Sequence, residues 1–110
     1  SAAELTAKKC TACEGGTPPL TAAEVAAHLP AVPEWKLSDD GKLIRRKYKF
    51  PDFAAAMAFL NRVAAVAEAE DHHPDLHLTG YRHVAVELTT HALGGLSAND
   101  FIVAAKVDAL

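Results

Sequence analysis

Residues 68–77 read EAEDHHPDLH, so three histidines and four acids fall in ten positions, and Pro74 directly follows His72–His73. An imidazole with an unperturbed pKa of about 6.5 both gives and takes protons at neutral pH. Paired histidines beside carboxylates therefore suit general acid–base catalysis. Glu68 stands four positions before His72, one helical turn away if the helix continues, where a carboxylate would orient the ring. No Ser or Cys nucleophile lies between them, which points to proton transfer around a small molecule.

Two other readings compete. His73 and His77 have H-x3-H spacing and Cys10 and Cys13 have C-x2-C spacing, the ingredients of a Cys2His2 zinc site. About half the chain separates the two halves, however, where a finger keeps about 12–15 residues between them. Pro74 also breaks the helix that would align His73 with His77. The expectation is no metal, with the cysteines a reduced pair. The third reading is a solvated helix end: Glu68, Glu70 and Asp71 are unfavourable at a helix C-terminus, and the histidines partly offset them. His91 ends an alternating run, YRHVAVELTTH, and can project beyond a sheet edge. Asp100 follows Ser97 at capping-box spacing, and capping alone could account for it.

These residues need elements to position them. Residues 1–19 read as an N-terminal arm, and CEGGTPPL excludes regular structure by its glycines and prolines. From residue 20 to 110 the pattern is that of a single domain. LTAAEVAAHL starts a helix with a Thr21/Glu24 capping box and a Leu20/Val25 staple, ended by Pro30 and Pro33. EWKLSDDGKLIRRKYKF reads as a β-hairpin turning at Asp40–Gly41, with Ile44, Tyr48 and Phe50 on one face. Pro51–Asp52 opens a helix of about five turns whose apolar stripe is Phe53, Met57, Leu60, Ala64 and Ala67, ending near His73. Val84, Val86 and Leu88 share the core face of the next strand. Ser97 then caps a last helix with Phe101, Val103, Ala104 and Val107 buried.

The order is α-β-β-α-β-α, with a short extra strand near 76–79. The expected fold is α+β: a small antiparallel four-stranded sheet with helices packed on one face. Its edges and uncovered face invite self-association. The 110 residues suffice for one modest core, and the net charge of −3 argues against electrostatic nucleic-acid binding. No apolar run approaches membrane-spanning length, and SAAELTAKKC lacks a signal-peptide core. The expected location is cytoplasmic.

The ordered set EAEDHHP, GYRHVAVELTTH and GGLSAND resembles the pterin-4a-carbinolamine dehydratases, also called dimerization cofactors of a homeodomain transcription factor. The arm KKCTACEGGTPPLT is similar to that of many bacterial and plant members, so the resemblance runs from about residue 8 to the end. It implies a hydro-lyase that dehydrates 4a-hydroxytetrahydropterin to quinonoid dihydropterin. That step recycles the pterin of aromatic amino acid hydroxylases and needs no metal or organic cofactor. By resemblance His72 and His91 form the acid–base pair, and His73 contacts the pterin with Pro74 and Tyr81. Glu68 and Asp100 are supporting carboxylates. The resemblance also implies a homodimer or homotetramer, with partners in a hydroxylase pathway or among transcription factors. The same fold serving mainly as a protein-interaction or assembly module is the alternative. Two departures stand out. DLHLTG is one residue longer than in the animal proteins, and Leu76 and His77 replace two aromatics. His77 and His83 match no signature position and are expected at the surface.

Overall fold

The computed structural model describes residues 1–11 and 17–110. Cys13 and Gly15–Gly16 lie outside the described residues, so the expectations for them meet no structure. Among the described residues four α-helices and four strands, with two short 3₁₀ turns between them, follow in the order α1 (Ala2–Thr6), α2 (Ala22–His28), β1 (Lys36–Leu37), β2 (Ile44–Lys49), α3 (Phe53–Glu70), β3 (Asp75–Thr79), β4 (His83–Leu88) and α4 (Ala98–Asp108). The sheet is antiparallel throughout, with spatial order β1-β2-β4-β3. This is the α+β architecture expected, and the extra strand near 76–79 is β3.

Period-two patterning sets the sheet's faces. Ile44 on β2 and Val84, Val86 and Leu88 on β4 are buried in the core with Phe59, Val63, Phe101 and Val103. The alternate residues Arg45, Lys47 and Lys49 are exposed, so helices cover one face and the other is open. The hairpin turns as its sequence demands: Gly41 has φ +72°, and the Asp40 carboxylate accepts from Lys42 N–H at 3.0 Å. α2 carries the Thr21/Glu24 capping box. α4 is buried almost all round, from Asn99 to Ala105 and again at Val107, and is the central rod of the core. Trp35 Nε1 and Arg46 both donate to Asp108 Oδ1, at 2.9 and 2.6 Å, pinning the end of α4 to the hairpin.

The start of the arm is tied to the core: α1 packs on α4, and Leu5 is 3% exposed. Of its expected stripe α3 buries Ala67 and half-buries Leu60, but turns Phe53, Met57 and Ala64 outward. Its buried residues are Ala56, Phe59, Val63, Ala67 and Glu70, while Phe53 and Met57 are 52% and 38% exposed and Ala64 is exposed too. The true core face is rotated by roughly 80° from the expected one, at 100° per residue. α3 is apolar on most sides, so periodicity alone picks the larger side chains. Packing against α4, and of Phe59 against Tyr48 and Phe50 of the sheet side, selects the buried face.

Candidate active site

α3 does not reach His73. It ends at Glu70, because Asp71 adopts the left-handed conformation (φ 50°, ψ 42°) and its N–H donates to Ala67 O. Asp is one of the few residues besides glycine that visits this region readily. The reversal swings the His-His pair off the helix axis, so Glu68 is not one turn below His72. The pairing is different. Glu68 Oε2 lies 2.6 Å from His73 Nε2, and His72 Nε2 lies 2.6 Å from Asp100 Oδ1. Pro74 keeps His73 extended and leads into β3.

Asp100 is completely buried. Its Oδ2 accepts from Ser97 N–H at 2.9 Å and from Thr90 Oγ1 at 2.8 Å, and Thr90 and Ser97 share a hydroxyl–hydroxyl bond at 2.7 Å. One carboxylate oxygen therefore caps α4 while the other holds an imidazole. A buried carboxylate needs such saturation, since an unpaired buried charge is prohibitively costly. With a carboxylate as partner, His72 Nε2 is the donor, which leaves Nδ1 as the basic atom of the neutral ring. Capping-box spacing signals the Ser97 half of this role; Thr90 as a carboxylate partner carries no sequence signal of its own.

His91 comes from a different place than expected. β4 stops at Leu88, Thr90 bridges to Gly95, and His91 opens a 3₁₀ turn closed by Gly94 at φ +69°. The turn still delivers it to the same cleft. His72, His73 and His91 line one depression of ≈ 390 Å³ together with Thr11, Asp71, Thr89, Thr90, Ala92 and Asn99. Another depression of ≈ 400 Å³ lies over β1 and β2 and has no histidine in its lining.

Two candidates lie elsewhere. Tyr81 sits at the tip of the β3–β4 hairpin, 58% exposed and left-handed at φ 57°. The pairs from Thr79↔His83 to Asp75↔Glu87 put about 13 Å of strand between that tip and the cleft end. Pro74 is not among the lining residues either; its influence runs through the backbone of His73. His77 pairs with Glu87 at 2.8 Å on the open sheet face, and His83 is exposed. His73 and His77 thus lean on different carboxylates. Among the described residues no three His, Cys, Asp or Glu side chains converge as a metal would require. Burial and the nearby Glu70 push the Cys10 thiol up to about 12, which disfavours the thiolate a metal needs.

Residues 18–110 match the model of the family described as pterin 4 alpha carbinolamine dehydratase. The chain belongs to that family. A relative from Halorhodospira halophila, provisionally named a pterin-4-alpha-carbinolamine dehydratase, is 51% identical over 106 residues, 96% of each chain. One from Methylococcus capsulatus with the same provisional name is 48% identical over 109 residues, covering 99% of this chain and 95% of its own. Among solved structures, a transcriptional coactivator/pterin dehydratase from Brucella melitensis superposes with a TM-score of 0.76 at 36% identity, covering 83% of this chain and 96% of its own. A pterin dehydratase-like protein identified as a RuBisCO assembly factor in the α-carboxysome superposes at 0.58 with 26% identity, over 69% and 87%. No helix among the described residues is long and apolar enough to cross a membrane.

Proposed function

We propose that this protein dehydrates a 4a-hydroxytetrahydropterin to the quinonoid dihydropterin by histidine acid–base catalysis, without metal or organic cofactor. The observation that carries the reading is the convergence of His72, His73 and His91 on one cleft, with Asp100 bonded to His72 Nε2. The reaction needs two proton transfers. The 4a-hydroxyl leaves as water and must gain a proton, and a ring nitrogen must lose one as the new double bond forms. His72 and His91 share these roles, His72 working through Nδ1. His73, braced by Glu68, contacts the pterin. Pro74 acts by setting the backbone of His73, and Tyr81 stands away from the cleft that one chain forms.

The test is the rate of 4a-hydroxypterin loss above the spontaneous rate. His72→Ala or His91→Ala should lower turnover by about 10²–10⁴. Wild-type protein no faster than buffer would sink the reading.

The enzyme works as a cytoplasmic homodimer or homotetramer, with residues 20–110 as the dehydratase domain. The exposed Phe53 and Met57 on α3 and the edge position of β3 support self-association. A second reading, a protein-interaction or assembly module, is favoured by the names of the two solved relatives. It expects a stable complex with a partner, from a hydroxylase pathway or a transcription factor, that survives His72→Ala.

A further inference from the structure

The arm motif KKCT has no part in the chemistry above, yet the fold ties it to the cleft. Three successive residues are strapped down. Lys9 Nζ donates to Ala69 O at 3.1 Å, and Cys10 N–H donates to Glu70 Oε1 at 2.9 Å. Thr11 and Asn99 make a reciprocal pair: Thr11 N–H donates to Asn99 Oδ1 at 3.1 Å, and Asn99 Nδ2 donates to Thr11 O at 2.6 Å. The Cys10 thiol donates to Asn99 O at 3.6 Å. Glu70 is held in turn by Lys106 Nζ at 2.9 Å on its other oxygen.

The anchor points are the two places that set His72. Ala69 and Glu70 are the last turn of α3, just before Asp71 reverses the chain into His72. Asn99 is the neighbour of Asp100, which holds His72 Nε2. Both partners of the reciprocal pair, Thr11 and Asn99, line the histidine cleft. A strap with only a structural duty could anchor anywhere along α3 or α4. This one is bonded at the junction where the imidazole is positioned, and it supplies part of the wall.

We propose that Thr11 is a built wall of the substrate cleft, held in place by the Lys9–Thr11 strap, and that Glu70 and Asn99 are the positioning residues that anchor it. The inference rests on the pterin dehydratase reading for its substrate. Glu70 serves through one oxygen only: Oε1 takes the Cys10 N–H, while Oε2 takes the Lys106 ammonium. The two duties separate chemically. Glu70→Gln keeps a carbonyl acceptor for Cys10 and loses the ion pair; Glu70→Ala loses both.

The experiment uses the full chain and two readouts. The first is dehydration kinetics on 4a-hydroxytetrahydropterin. Asn99→Ala and Glu70→Ala should raise KM by about three- to tenfold, the equivalent of one or two hydrogen bonds, with a smaller change in kcat. Glu70→Gln should restore KM while the melting temperature stays lowered. The second readout needs no turnover: the rate of iodoacetamide alkylation at Cys10, separated from Cys13 by peptide mapping. Burial and Glu70 hold this thiol at about 12 against an ordinary 9.0, so release of the strap should speed alkylation by at least about tenfold. Faster alkylation with unchanged KM overturns the wall. Unchanged alkylation in both alanine variants overturns the strap. KM raised equally in Glu70→Gln and Glu70→Ala would mean the ion pair, not the Cys10 bond, does the positioning. Wild-type protein that turns over no hydroxypterin defeats the functional reading and this substrate with it, while the alkylation rates still decide the strap.

Discussion

His72 Nε2 lies 2.6 Å from Asp100 Oδ1, so the ring beyond α3 is held by the carboxylate that caps α4. The bond fixes the tautomer and the ring plane together. Asp100→Asn places either a second donor or a weaker neutral acceptor against Nε2. Turnover should fall by about 10², part of the usual worth of a general acid–base group. His72→Ala/Asp100→Asn should be no slower than His72→Ala alone, because Asp100 acts through the ring. A double variant slowed by the product of the two single effects would refute the pairing.

Asp71 makes the pairing possible. At φ 50° it ends α3 and turns His72 toward α4. Glycine adopts this conformation without penalty, so Asp71→Gly should leave the melting temperature nearly unchanged. A β-branched residue is penalised there by about 1–2 kcal/mol, so Asp71→Val should lower it. Equal behaviour of the two variants in thermal melts would show that the left-handed turn is unimportant.

How far these arrangements could be read from the chain depended on range. Turn and cap signals are local, and they succeeded: Asp40–Gly41, Thr21/Glu24 and Ser97/Asp100 all lie where their spacing put them. Strand alternation placed Val84, Val86 and Leu88 correctly because a half-buried strand has just two faces. α3 misled because it is apolar on nearly every side, and only its partners, α4 and the sheet, decide which side is core. Around the cleft the local pairing was misjudged. Pro74 suggested a helix end near His73, whereas a single left-handed Asp71 ended it at Glu70. That exchange re-paired both histidines: Glu68 braces His73, and the partner of His72 lies 28 positions away. No spacing rule reaches that far. The family resemblance named His91 and Asp100, but no spacing rule pointed to Thr90, whose hydroxyl donates to the Asp100 carboxylate. Tyr81, named the same way, stands at the far end of a hairpin.

The Glu70–Lys106 pair gives a pH dependence of defined sign. The Lys106 hydrogen bond and the Cys10 N–H hold the Glu70 carboxyl below its usual range. A depressed acid contributes stability above its unfolded value of about 4.3, and that stability is lost as pH falls through the folded value. Wild type should therefore melt higher than Glu70→Gln at pH 6–7, with the gap closing below about pH 4.5. Thermal melts from pH 3 to 7 check this. A gap that stays constant across the range would mean the ion pair adds nothing through its charge.

The misassigned face of α3 leads to the last prediction. Phe53 and Met57 are exposed on one side of α3, beside the half-buried Leu60 and the exposed Ala64. Isolated exposed apolar residues are ordinary; four at helical spacing form a stripe like that of a helix–helix seam. If the stripe is an interface between copies of this chain, a charge in its middle should break it at little cost to the fold. Met57→Asp should shift the light-scattering mass toward the 11.6 kDa chain at micromolar protein, with an unchanged far-ultraviolet spectrum. Met57→Leu controls for packing and should keep the wild-type mass. An assembly of unchanged mass in Met57→Asp would exclude this face and shift attention to the β3 edge, where a charged substitution at the exposed Leu76 is the corresponding test.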